Sequence, residues 1–171
     1  MPIWKSSFVA LSAVQDAGNV GTILRTCDAV GCSGVILLDG TADPYGPTAI
    51  RASLGAVLTA RLYRGCWQEF RAFLKRSGAT LIGTSPHAQT TYREAGYQRP
   101  FVILAGSEAK GLTSDEMKAC HQLVSIPMVG QRDSLNVAVA TSVVLYEAFS
   151  RRGHYERDRE QGIPQEDGNL D

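Results

Sequence analysis

No stretch of this 171-residue sequence approaches the roughly 18 consecutive apolar residues of a membrane helix. Its first residues, Met1 to Lys5, run almost directly into a strand-like segment without the charged and apolar leader of a signal peptide, so the cytoplasm is the expected compartment. The four cysteines, Cys27, Cys32, Cys66 and Cys120, contain no C-x-x-C pair. A chain of this length buries roughly 70% of its unfolded surface and needs no staples, so they read as buried reduced thiols. His87, His121 and His154 are equally scattered, and no metal site is expected. Internal repeats and low-complexity tracts are absent. So is an excess of charge of either sign, since 17 Lys and Arg balance 17 Asp and Glu.

That balance hides an asymmetry. Residues 154–171 hold six acids against Arg157 and Arg159 and carry −4, so the remaining 153 residues carry +4. A body this mildly basic holds RNA only weakly without a second subunit or another domain. Arg51, Arg61, Arg64, Arg71, Lys75 and Arg76 read either as a basic surface or as scattered solubilising charge.

Apolar runs alternate with helix-period segments. Strands are expected at Phe8–Val14, Val35–Asp39, Val57–Leu62, Thr80–Gly83, Phe101–Ala105 and Gln122–Ile126. Helices are expected over Val20–Val30, around Thr48–Leu54, around Trp67–Leu74, after the capping box Thr113–Glu116, and over Leu135–Arg152 with Ser134 as N-cap. His87–Pro100 reads mostly as loop. The alternation predicts an α/β domain with a largely parallel sheet over residues 1–153, followed by an acidic tail, 154–171, expected to be disordered.

Three segments at or just after expected strand ends could carry chemistry, because ligands of such sheets bind beyond the carboxyl ends of strands. In Asp16–Arg25, Gly18 and Gly21 permit a close turn, and a helix start with Arg25 suits an anion; the plain alternative is an ordinary helix start with a solvated arginine. In Leu104–Gly111, Glu108 stands where a dinucleotide fingerprint needs glycine, and Leu112 stands where a Walker loop needs lysine. A glycine-flanked loop still allows close approach of a ligand, and Glu108 can orient an arginine or accept ribose hydroxyls. In the third segment Ser134 and Asn136 bracket a helix start, one free to cap and the other to face a ligand. Ile126, Met128 and Leu135 could wall an apolar slot for a purine ring. Capping and core packing alone would also explain these residues.

Taken together, N-x-G-x-x-x-R, G-x-E-x-x-G and I-P-M…S-L-N-V…L-Y-E, in this order and spacing, resemble the SpoU branch of the SPOUT methyltransferases, which methylate RNA ribose 2′-hydroxyls. The resemblance covers about residues 7–152. It implies a parallel sheet flanked by helices whose C-terminal part, here about Phe101–Arg152, is threaded into a deep trefoil knot. It implies S-adenosylmethionine as cofactor, held by Thr84, Leu104, Gly106, Ile126, Met128, Ser134 and Leu135. Asn19, Arg25, Glu108, Ser134 and Asn136 match the catalytic motif positions. A homodimer with the site completed near its interface, an RNA substrate (rRNA ahead of tRNA) and no metal follow from the same resemblance.

The reaction it implies is in-line attack of a ribose 2′-oxygen on a sulfonium methyl. The family proposal makes the first-motif arginine the base. A guanidinium, with a pKa above about 12, accepts no proton, so Arg25 is expected to grip phosphate and stabilise the developing alkoxide. Two departures stand out. Ala138 occupies a position that is often serine in the family. The chain also begins almost at its first strand, where many members carry an N-terminal RNA-binding domain, and the weak body charge fits a catalytic domain separated from one. A non-catalytic S-adenosylmethionine- and RNA-binding subunit is the alternative; a dinucleotide enzyme is disfavoured by the missing fingerprint.

Overall fold

The computed structural model describes residues 6–131 and 133–160. In chain order the elements are β1 (Ser7–Leu11), α1 (Ala17–Ala29), β2 (Gly34–Leu38), α2 (Pro47–Ser53), α3 (Ala56–Thr59), β3 (Leu62–Gly65), α4 (Trp67–Ser77), β4 (Thr80–Thr84), β5 (Thr90–Thr91), β6 (Phe101–Ala105), α5 (Ser114–Ala119), β7 (Gln122–Ser125) and α6 (Val137–Glu160). All strand pairs are parallel, in the order β3-β2-β1-β6-β4-β7-β5.

The central strands SFVAL, GVILL and FVILA are buried along their whole length, as a parallel sheet covered on both faces requires. Alternation then sorts their side chains. Val9, Leu11, Val35, Leu37, Ile103 and Ala105 join a core with α1, α3 and α6. Phe8, Ala10, Ile36, Leu38, Val102 and Leu104 join a second core with Phe70 and Leu74 of α4. The result is three layers. Gly21 serves the packing of the first layer: a Cβ there would lie 2.3 Å from the Ala49 carbonyl oxygen, so only glycine lets α2 lie this close on α1. The sequence suggested a role for Gly21 in the turn out of β1; its role is helix–helix approach.

Three expectations are corrected. Val57–Leu62 is not a strand: Ala56 and Val57 bury their side chains on a short helix, and the strand follows at Leu62–Gly65. Burial against α1 outweighs the β propensity of the run. Helix α6 is capped by Asn136, not Ser134, because the Asn136 Oδ1 accepts from the amides of Ala138 (2.9 Å) and Val139 (3.3 Å). And α6 continues to Glu160, eight residues past Arg152 and into the expected acidic tail. The Glu and Arg residues there are good helix formers that extend an already nucleated helix. Residues 161–171 lie outside the described residues.

The chain leaves β4, runs out to β5 at the far edge of the sheet, and returns to β6 at its centre; β7, added later, pairs between β4 and β5. Arg151 of α6 fastens to this excursion, donating to the carbonyls of Ala95 (3.0 Å) and Arg93 and lying over the Tyr97 ring. Among the described residues no helix is long and apolar enough to cross a membrane.

Candidate functional site

Three loops meet beyond the carboxyl ends of β4, β6 and β7 and enclose a cavity of about 570 Å³. The Gly106–Gly111 loop closes on itself: the Ser107 amide donates to the Gly111 carbonyl (3.1 Å) and the Gly111 amide returns to that of Ser107 (2.9 Å). A Cβ on Gly106 would stand 2.3 Å from the Gly111 carbonyl carbon, so this fold of the loop requires glycine there. The apolar lining includes Leu112, Met117, Val124, Ile126, Met128 and Leu135. Glu108, Lys110, Asp133 and His87 supply charged and titratable groups.

Most of the expected cofactor residues line this cavity: Thr84, Gly106, Ile126, Met128, Ser134 and Leu135. Leu104 does not. Its side chain is fully buried in the α4 core, and only its carbonyl, which accepts from the Thr84 hydroxyl (3.4 Å), faces this end of the sheet.

The motif residues form one hydrogen-bonded chain. Asn136 Nδ2 donates to Asn19 Oδ1 (3.0 Å), and Asn19 Nδ2 donates to Glu108 Oε1 (3.0 Å). Glu108 also accepts from the backbone amides of Asp16 (3.1 Å) and Gln15 (3.1 Å). Asp16 in turn caps α1, accepting from the Asn19 amide at 2.9 Å, a contact worth about 1 kcal/mol. Partial burial alone would raise the Glu108 carboxyl; the donors from Asn19, its own amide, Gln15 and Asp16 outweigh it and hold the group below the usual carboxylate range. A carboxylate so occupied is a poor proton acceptor. Among the described residues it engages no arginine.

Glu108, Ser134 and Asn136 line the cavity, whereas Asn19 and Arg25 do not. Asn19 reaches it through Glu108 and Asn136. Arg25 lies six residues further along α1, about 9 Å of helix rise. It is exposed and, among the described residues, makes no hydrogen bond or ion pair. Ser85, Pro86, His87, Lys110 and Asp133 also line the cavity and were missed in the sequence. The position of Ser85–His87 just past the end of β4 was the available signal.

A parallel α/β sheet with its cavity built from loops at the strand carboxyl ends is a ligand-binding enzyme architecture. The model of the SpoU rRNA Methylase family matches residues 6–146, and the chain belongs to this family. It is 39% identical over 143 residues to an uncharacterized tRNA/rRNA methyltransferase of Synechocystis, covering 82% of this chain and 52% of that protein. It is 33% identical over 136 residues to the 23S rRNA (guanosine(2553)-2′-O)-methyltransferase of Bacillus subtilis, covering 80% of this chain and 55% of that one. A crystal structure of an AdoMet-bound rRNA methyltransferase from Sinorhizobium meliloti superposes with a TM-score of 0.84 at 36% identity, covering 88% of this chain and 58% of the other. The chain thus spans little more than half the length of these relatives. The expected fold, a parallel sheet flanked by helices, matches theirs.

The residues present fit S-adenosylmethionine. The cavity volume lies within the ordinary range for a cofactor, roughly 300–1,000 Å³. Its apolar wall suits a purine, and groups of both charge signs suit an amino-acid zwitterion.

Proposed function

We propose that this chain is the catalytic domain of an S-adenosylmethionine-dependent RNA ribose 2′-O-methyltransferase acting in the cytoplasm, with rRNA as the preferred substrate. The observation that carries this reading is the Asn136–Asn19–Glu108 chain, which ties all three motifs to the rim of one cavity. The preference for rRNA draws on relatives named for 23S rRNA 2′-O-methylation.

S-adenosylmethionine, when bound, supplies a methyl group activated on a sulfonium. Ile126, Met128 and Leu135 would hold its purine, and the backbone of the Gly106–Gly111 loop would bind its ribose. Lys110 and Asp133, which line the same cavity, would pair with the carboxylate and ammonium of its amino-acid end. Arg25 grips a substrate phosphate and stabilises negative charge developing on the 2′-oxygen. Glu108, Asn19 and Asn136 hold α1 in register with the cavity, so that nucleophile and methyl group align, an effect worth up to roughly 7–11 kcal/mol in favourable cases.

The α6 stripe Val139, Tyr146 and Phe149 is exposed and apolar, and Tyr146 and Phe149 make an edge contact at 6.2 Å. Seven and three residues apart, these side chains share one helix face. It supports association of two copies through α6, beside α1 and Arg25. Sedimentation should give a dimer that Tyr146→Glu dissociates; a monomeric wild type would refute this.

The chemistry is tested by incubating the protein with total RNA and methyl-labelled cofactor, followed by nuclease digestion and mass spectrometry. A nuclease-resistant 2′-O-methylated dinucleotide is expected. Methyl on a base or on protein would overturn the reading, and cofactor binding without transfer to any RNA would favour the binding-subunit alternative.

A further inference from the structure

At the opposite edge of the sheet, where β1 and β2 begin, the C-terminal end of α1 places two thiols together. The Cys32 amide donates to the Cys27 carbonyl (2.8 Å) and the Gly31 amide to the Asp28 carbonyl (3.1 Å), with Gly31 at φ 65°. This is the Schellman closure of a helix, which brings the side chain just beyond the end against that of the last turn. Here both are cysteines. Cys27 is buried in the main core and Cys32, half-buried, packs against that core. Both line a second cavity of about 290 Å³, bounded by Asp28, Ser33, Gly34, Thr59, Ala60 and Arg61. The Cys32 thiol also donates to the Ser7 carbonyl at 3.3 Å. None of these residues touches the first cavity.

We propose that Cys27 and Cys32 form a reversible two-electron thiol site, which takes hydrogen peroxide through this cavity and closes to an intramolecular disulfide. The Cys32 thiolate sulfur attacks the peroxide; the S–O bond forms, the O–O bond breaks, and the departing hydroxide takes a proton to become water. Cys27 then loses its proton and attacks the Cys32 sulfur. The S–S bond forms, the S–O bond breaks, and a second water leaves. Two thiols are oxidised and one peroxide is reduced, and a dithiol reductant reverses the change. The division of labour follows from the surroundings. The contact with Cys27 lowers the Cys32 thiol against the effect of its burial, with help from Ser7, Gly34 and Ser33. The same contact, together with burial, pushes Cys27 up. Cys32 is therefore the attacking thiol and Cys27 the resolving one. Cys120, by contrast, is pushed up to about 12 by burial, with the Glu116 charge adding to it, and has no thiol partner.

Peptide mapping of the reduced full chain after hydrogen peroxide treatment tests this without any variant. A 27–32 disulfide is expected, formed about tenfold faster than any oxidation of Cys120, whose thiol is raised where that of Cys32 is lowered, and ahead of any oxidation of Cys66, which lines neither cavity. In Cys27→Ser, Cys32 should accumulate as a sulfenic acid trapped by dimedone; in Cys32→Ser, Cys27 should stay reduced. Earlier oxidation of Cys66 or Cys120, conversion of wild-type Cys32 to sulfinic acid without the disulfide, or no thiol loss at all would each overturn the proposal.

Discussion

The chain leaves two neighbouring strands at the same edge, β1 after Leu11 and β6 after Ala105, and the two exits are built in opposite ways. The β6 exit satisfies itself. Its turn is closed by paired Ser107 and Gly111 backbone bonds and by the Ser107 hydroxyl, which accepts from the Lys110 amide (3.1 Å). The β1 exit borrows. The amides of Gln15 and Asp16, and the Asn19 side chain, are all taken up by Glu108 of the other exit, and the Ser12 hydroxyl donates to Glu116. Dependence therefore runs one way. Damage to the Gly106–Gly111 loop should reach α1, whereas damage to Arg25 should not reach the cavity.

Replacing Arg25 by alanine is the severest test of this asymmetry. Turnover should fall by about 10²- to 10³-fold, the usual cost of losing a charge-stabilising donor, with cofactor affinity unchanged by calorimetry; weakened cofactor binding would break the one-way dependence. Gly106→Ala should weaken cofactor binding and turnover together, by about 100-fold for a loop displaced on the order of 1 Å. Equal binding in this variant would show that the close approach to Gly111 is dispensable. Asn136→Asp keeps the capping oxygen but cannot donate to Asn19; about a tenfold loss of turnover, or ~1.4 kcal/mol, is expected with thermal stability nearly unchanged.

Glu108→Gln should cost about 1 kcal/mol of stability near neutral pH, as for hydrogen bonds open to water. The carboxyl is held below its ordinary value, so its contribution is present above the unfolded carboxylate range and is lost as pH falls through the lowered folded value. The difference between wild type and variant in chemical denaturation should therefore shrink below roughly pH 4.3; a gap that widens in acid would contradict the hydrogen-bonded assignment. Ser134→Ala is the mildest. With Asn136 as the cap, stability should move by no more than about 0.5 kcal/mol, and a loss near 1 kcal/mol would restore Ser134 to that role.

Much of the architecture was legible in the residues. Uninterrupted apolar runs identified the central strands, Phe101–Ala105 to the residue, and the capping box at Thr113 and Glu116 is present as expected. Where local patterns compete, the reading failed. Val57 belongs to a helix because α1 offers it a core to enter, and Ser134 yields the cap to Asn136 because the chain turns into α6 two residues later. His87 and Lys110 join the cavity only because loops remote in sequence converge.

Periodicity and turn chemistry act over a few residues, so the sequence by itself determined the central strands, the glycine that closes the Gly106–Gly111 loop, and the motif residues available for chemistry. How those residues are used is a matter of contacts between positions about ninety to a hundred and twenty apart in the chain. Only the tertiary structure decided that Glu108 holds the β1 exit, that Asn136 both caps α6 and reaches Asn19, and that Arg25 stands exposed beside the site. Hydrogen bonds need atoms within about 3 Å, and no spacing along the chain specifies that.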